Sequence, residues 1–336
     1  MKYFLIFVFL FINSVFNYNA PKSSYSLLLD EIRTNIIDSA LLNLPKREEV
    51  DLLKMNILMV LQKKQYSLTD VESAFLIYKW ISQNIKINCR YYYYNSHGTI
   101  KEELPIDIYD SGNGQPPTIS SLFNLMCSYM NVKSDSIQGY YKTLNYSEYY
   151  TQFSEAVHIW NYILIDNQTY LVDPTLGNGY CDDTTYYKSY SDFYFGTRPE
   201  ILIKSHFPND DKFQLLKEII TKAQWSSFVF RRYFFYLNGL KTITPDSRNI
   251  NIENIKKIVI DYDSSNYDIG VGVQLYFYGG DSIIMNHNTC SNGRIEISLE
   301  KWYKPSNSNP NRIEIRIGTK NNPWAYLVVH YYISGW

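Results

Sequence analysis

Two hydrophobic periods divide the chain. In the first half apolar residues recur at helical spacing. "REEVDLLKMNILMVLQKK" places its acids early and its lysines late, as the helix dipole favours. "SLTDVESAFLIYKWISQNI" opens with a capping box from Thr69 to Glu72 and keeps Ala74, Ile77, Tyr78, Ile81 and Ile85 on a helical period. The preceding "SSYSLLLDEIRTNIIDSALL" has mixed helical character and breaks at Pro45. A polar, Tyr-rich loop is expected from Asn88 to about Gln115. Pro116 and Pro117 then open a helix with Ile119, Leu122, Phe123, Met126 and Met130 on one face, since a first helical turn tolerates proline.

Period-two patterning takes over after that helix. "SIQGYYK", "AVHIWNYILI" and "QTYLVDPT" read as strands, the last two joined by a turn at Asp166-Asn167. From about Phe234 shorter alternating strands follow: "KKIVIDY", "VGVQLYFY", "RIEISLE", "NRIEIRIG" and "AYLVVHYYI". Their spacing predicts a C-terminal β-sandwich. The pattern as a whole predicts an α+β protein. Its expected division is a signal peptide at 1–20, a helical segment at 21–66, a central domain with its linker at 67–233, and the sandwich at 234–336.

The first residues, "MKYFLIFVFLFINSVFNYNA", set one lysine before an apolar run from Tyr3 to Ile12. The run is shorter than the roughly 20 residues a membrane helix needs and fits a secretory signal, cleaved between Ser14 and Ala20. Secretion or an endomembrane lumen is the expected location, with a mature chain free of membrane spans. The sequons at Asn145 and Asn167 agree with N-glycosylation. Four cysteines, Cys89, Cys127, Cys181 and Cys290, permit two disulfides in an oxidising compartment, with three pairings open. The formal net charge of -1 argues against nucleic acid as a partner. An aromatic content of 17% is spread over the whole chain and marks no single site.

The best chemical candidates are His158 and Asp173. With a two-residue turn at Asp166-Asn167, His158 falls opposite Thr175, and Asp173 is its diagonal neighbour on the same sheet face. A carboxylate beside an imidazole fixes its tautomer and orientation, as the third member of a nucleophile–base–orienter triad does.

"AVHIWNYILIDNQTYLVDPTLGNG" resembles the His-x-Trp-Asn … Val-Asp-Pro-Thr segment of the transglutaminase-like superfamily, whose papain-like core uses a Cys–His–Asp triad. "WISQNIKIN" resembles the helix end before the active-site loop. "SLFNLMCSYMNVKSDSIQGYYK" resembles the helix and strand that follow the catalytic cysteine. "DFYFGTRPEILIKSHFPNDDKFQLL" is similar to a stretch of the kyphoscoliosis peptidase family that follows the triad and leads to β-rich domains; it reads as a connector with no catalytic grouping of its own. The four segments occur in order over roughly residues 65–220.

The resemblance implies a cysteine in a Gly-x-Cys-x-Gly-Tyr-Ser-like motif at the start of the central helix. Ungapped counting from "LFNLMC" puts Gly114 at the first glycine, Pro116 at the nucleophile and Thr118 at the second glycine. Asn88, Tyr170, Leu176 and Phe213 also depart from the family pattern. Proline supplies neither a thiolate nor the backbone N–H that normally donates into an oxyanion hole. Losing one such donor costs about 100- to 1000-fold in rate by itself. Cys127, eleven positions on, lies about 16 Å further along the helix and is expected in the core. Cys89 and Cys181 are expected to form disulfides, and His206 to pack the linker against the core. His97, His287 and His330 have no partner at telling spacing. No zinc spacing, P-loop or dinucleotide fingerprint is present, so no cofactor is implied.

These features predict a secreted transglutaminase-like pseudoenzyme that binds a protein or peptide in the cleft or on the sandwich, with His158 and Asp173 as triad remnants. Two alternatives stand beside it. One is an active cysteine peptidase or protein-glutamine acyltransferase using another cysteine. The other is an adhesive or structural extracellular protein.

Overall fold

The structure, a computed structural model, describes residues 21–90, 103–142, 155–182, 185–263, 269–277, 282–285, 288–300, 310–319 and 322–334. The N-terminal run, Asn145, His97 and His287 therefore lie outside the described residues. The described residues form an α+β fold.

Three helices come first: α1 (Thr34–Leu42), α2 (Leu52–Tyr66) and α3 (Asp70–Asn84). Asp51 caps α2 by accepting from the Lys54 N–H, and α3 has the expected capping box between Thr69 and Glu72. Glu72 also pairs with Arg33, which fastens the start of α1 to the start of α3. Eleven of the fifteen α3 residues are buried, so this helix lies inside the core.

The region after Asn88 departs from the expected loop. Strand β1 (Lys86–Ile87) pairs in parallel with β2 (Asn113–Gly114), and a short helix α4 (Pro105–Ser111) precedes β2. The polar, aromatic composition hid α4, whose signals are local: Pro105 in its first turn, Asp107 bonding back to the Leu104 N–H, and Gly112 at positive φ ending it.

Helix α5 (Pro116–Tyr129) runs from the paired prolines and buries Ile119, Leu122, Phe123, Met126 and Cys127. It packs on a sheet of order β5-β4-β3-β8, made of β3 (Lys133–Lys142), β4 (Glu155–Ile165), β5 (Gln168–Val172) and β8 (His206–Pro208). All three pairings in it are antiparallel. Between β5 and β8 lie the hairpin β6 (Gly179–Asp182) and β7 (Thr185–Lys188), and a helical turn α6 (Pro199–Leu202).

A turn α7 (Lys222–Ser227), strand β9 (Phe230–Arg231) and helix α8 (Tyr233–Leu237) lead to two further sheets. One has the order β10 (Leu240–Thr244), β12 (Lys257–Tyr262), β16 (Arg294–Ser298), β15 (Asn288–Ser291). The other has the order β11 (Asn249–Asn251), β18 (Asn322–Ser334), β17 (Pro310–Thr319), β13 (Ile269–Phe277), β14 (Ser282–Met285), with β9 also paired to β18. Alternate positions such as Ile258 and Ile260, or Ile313, Ile315 and Ile317, are buried, and both sheets join one continuous apolar core. Asp246 accepts from Arg231 at 2.7 Å and from Lys204 at 3.0 Å, tying the segment after β10 to the linker.

Gly139 marks the tightest approach in the central sheet. A Cβ there would lie 2.8 Å from Pro208 Cα and overlap the Phe207 carbonyl, so β8 pairs with β3 only because position 139 has no side chain. Gly139→Ala is expected to cost about 1–3 kcal/mol through overpacking, read as a lowered urea midpoint at unchanged m-value.

Candidate active site

The β4–β5 hairpin builds the first half of the site. Asp166 and Asn167 both adopt positive φ, 48° and 64°, which a two-residue turn of this hand requires. The turn locks Ile165 opposite Gln168 and, four pairs on, Asn161 opposite Val172. Continued three residues further, that register sets His158 opposite Thr175 and diagonal to Asp173. The structure brings the two together: His158 Nε2 lies 2.6 Å from Asp173 Oδ2, with both side chains fully buried. Asp173 is fixed by its own backbone as well. Its N–H donates to the Tyr194 carbonyl, and its Oδ1 accepts from the Leu176 N–H at 2.9 Å.

A third residue, absent from the sequence-based expectation for the site, completes the cluster. His206 begins β8 opposite Tyr141 and sets its Nε2 3.1 Å from the same Asp173 oxygen. Its Nδ1 is 2.8 Å from Ser205 Oγ. The linker therefore carries a site residue after all. The sequence marked His206 through the family-like "SHFPNDDKF" stretch and as a packing residue of the linker, which it is, but not as a partner of Asp173, 33 residues away. Tyr141 closes the cluster, its ring 5.4 Å from His158 and 5.1 Å from His206.

Burial disfavours the charged form of Asp173, but the charges and hydrogen bonds of His158 and His206 outweigh it and hold the carboxyl well below the usual range. Burial pushes His206 below the usual histidine range against the opposing pull of Asp173. The ligand-type atoms of these three residues all lie within 4.8 Å of one another. Two ligands on a tetrahedral ion at about 2.0–2.1 Å would stand roughly 3.3 Å apart. The 2.6 Å between His158 and Asp173 is instead a direct hydrogen bond.

Helix α5 supplies the other wall. Ser120 Oγ lies 2.8 Å from Ser136 Oγ on β3, and Asn161 Nδ2 on β4 donates to the Ser120 carbonyl. From that level Pro116 is about 6 Å back along the helix, and His158 is about 10 Å along β4 in the same direction. The first turn of α5 and the imidazole of His158 thus share one end of the layer. Gln115 occupies the N-cap position without a side-chain capping bond, and Pro116 is the first, buried residue of that turn.

None of the four cysteines stands at that helix start. Cys127 is fully buried, and burial pushes its thiol up to about 12. Cys89 and Cys181 form a disulfide with Cα atoms 5.5 Å apart. Cys290 is exposed on β15. The nearby hydroxyls are engaged or buried: Ser120 with Ser136, Ser121 with the Pro117 carbonyl, and Thr118 at 6% exposure. His330 is buried in β18 opposite Glu314. Asn167 stands exposed at the hairpin tip. Tyr141, Tyr194, Ser205, Arg232 and Tyr233 line a cavity of about 40 Å³ beside the cluster, room for a few waters and too small for a peptide. No helix among the described residues is long and apolar enough to cross a membrane.

The depressed His206 value gives a pH signature. A buried imidazole favoured as neutral contributes stability that is complete above its unfolded value near 6.5 and is lost as pH falls through the folded value. Asp173, also depressed, loses its contribution only below its own unfolded value of about 3.9. Urea midpoints should therefore fall from pH 7.5 to pH 5, and His206→Gln, which keeps a side-chain donor but does not titrate, should show the shallower slope. Equal slopes would remove the proton linkage from His206.

No family model matches the chain. It is 28% identical over 193 residues to the kyphoscoliosis peptidase of Mus musculus, covering 57% of this chain and 29% of that protein. It is 25% identical over 187 residues to a Lim and transglutaminase domain protein of Caenorhabditis elegans, covering 52% of this chain and 25% of the other. The chain thus spans less than a third of the length of these curated relatives. A solved structure of a candidate protease from Parabacteroides distasonis covers 88% of this chain and 58% of its own at 12% identity, with a TM-score of 0.26, too low to specify a shared fold. The curated relatives support a transglutaminase-like family for this chain.

Proposed function

We propose that this chain is a secreted transglutaminase-like pseudoenzyme that holds a polypeptide partner without cleaving or modifying it. The observation that carries the proposal is Pro116 at the first position of α5, at the end of the layer where His158 and Asp173 meet. His158 and Asp173 are the remnants of a Cys–His–Asp triad, and Pro116 occupies the nucleophile position. A proline there offers no nucleophilic atom and no N–H to stabilise an oxyanion. An imidazole–carboxylate pair without a nucleophile cannot form an acyl-enzyme. It remains a buried, hydrogen-bonded support for the sheet.

Secretion is supported by the N-terminal apolar run and by the Cys89–Cys181 disulfide, which persists in oxidising compartments. The cavity beside the cluster is too small for a peptide, so partner binding is assigned to the C-terminal sheets, which we read as a β-sandwich domain over 234–336. The alternative thiol enzyme is disfavoured because burial raises the Cys127 thiol pKa in the core, Cys89 and Cys181 are bonded to each other, and Cys290 stands on β15, in a different sheet from His158.

Iodoacetamide at pH 6 separates the two. The native protein is expected to show no rapidly alkylated cysteine. Pro116→Cys should create one, labelled roughly 100-fold faster than a free thiol because a papain-like histidine pair lowers the thiol pKa, and His158→Ala should abolish that gain. Rapid labelling of a native cysteine, lost on His158→Ala, would overturn the pseudoenzyme reading.

A further inference from the structure

Two consecutive arginines at the junction of β9 and α8, Arg231 and Arg232, line the cavity beside the histidine cluster. They are engaged differently. Arg231 is buried and pairs with Asp246 at 2.7 Å, yet its Nε has no hydrogen-bond partner among the described residues. Arg232 is half-buried, and its side chain makes no ion pair or hydrogen bond among the described residues. Its guanidinium stands against two rings, 5.6 Å from the centre of Tyr180 and 5.8 Å from that of Phe234.

Phenols complete the wall: Tyr141, Tyr194 and Tyr233 line the same cavity. Burial raises all three, Tyr233 to about 12, and the Arg232 charge opposes the rise in each. The guanidinium is therefore within electrostatic reach of every one, and all three stay protonated at neutral pH. Tyr141 is bonded to Tyr194, and the Tyr233 hydroxyl lies 3.1 Å from Ser189 Oγ. In each pair the hydroxyl that accepts keeps its own proton for a ligand.

Of the described charges around the cavity, Arg231, Arg232 and Lys204 are positive and Asp246 and Asp173 negative. One positive charge in excess suits a monoanion better than a doubly charged phosphate. About 40 Å³ is roughly the room of three waters, and a carboxylate group has three heavy atoms. A guanidinium matches that planar group with two parallel hydrogen bonds. We propose that this cavity is a binding site for a single carboxylate group, held by the Arg232 guanidinium and the Tyr233 phenol. The site uses neither Pro116 nor His158, so it stands or falls apart from the pseudoenzyme reading.

Saturation-transfer NMR on the folded chain, titrated with acetate against chloride at constant ionic strength, tests the proposal. Transfer to the acetate methyl should saturate in the millimolar range. Arg232→Gln should weaken it roughly 10-fold or more, as loss of a charge-assisted pair does, and Arg232→Lys should fall between, keeping the charge without the fork. Arg294→Gln, an exposed arginine on β16, should leave it unchanged. Tyr233→Phe gives a second reading, also weaker, should Arg232→Gln fail to fold. Triglycine and its amide separate two sources of the group. Tighter binding of triglycine than of acetate, lost in the amide, assigns the site to the end of a polypeptide chain, and binding of acetate alone assigns it to a free small acid. Absence of transfer from both acetate and triglycine would overturn the proposal. So would transfer that is equal in native protein, Arg232→Gln and Tyr233→Phe.

Discussion

One carboxylate oxygen organises this protein. Asp173 Oδ2 meets two imidazoles, from β4 and from the first residue of β8, in a place that excludes water. A buried carboxylate is tolerated only when donors surround it, and here the strands supply them: His158 comes from the hairpin and His206 from the returning linker. The linker cannot swing away without leaving a buried charge short of a partner. Gly139, by letting β8 approach, and Tyr141, by closing over both rings, serve that same contact.

The cluster is held by forces that owe nothing to catalysis. In the proposed pseudoenzyme the His158–Asp173 bond persists because its removal would strand polar groups in the core. The second imidazole strengthens that hold. Pro116 at the start of α5 leaves this arrangement untouched, since proline is a good opener for a helix whose apolar face is set by later residues.

The sequence carried whatever depends on near neighbours. The Asp166-Asn167 turn set the hairpin register, and the register alone placed His158 beside Asp173. The Thr69–Glu72 capping box and the prolines of α5 likewise marked helix starts that the structure contains. What was not legible depends on distant segments. His206 reaches Asp173 only after the chain passes through β6, β7 and α6, and no local pattern encodes that return. Helix α4 was missed because a seven-residue element in a polar, aromatic stretch has too short a period to count. The pairing of Cys89 with Cys181 was one of several permitted by the cysteines, and only the approach of β1 to β6 selected it.

That disulfide makes a closed covalent ring. Its two cysteines are 92 positions apart, and the ring encloses α4, α5 and the β3–β4–β5 sheet, with Pro116, His158 and Asp173 inside it and His206 outside. A single peptide bond cut anywhere between Cys89 and Cys181 would therefore yield no separate pieces until the sulfurs were reduced. Helix α5 and the hairpin that carries His158 remain tethered through a second route, independent of the main chain between them.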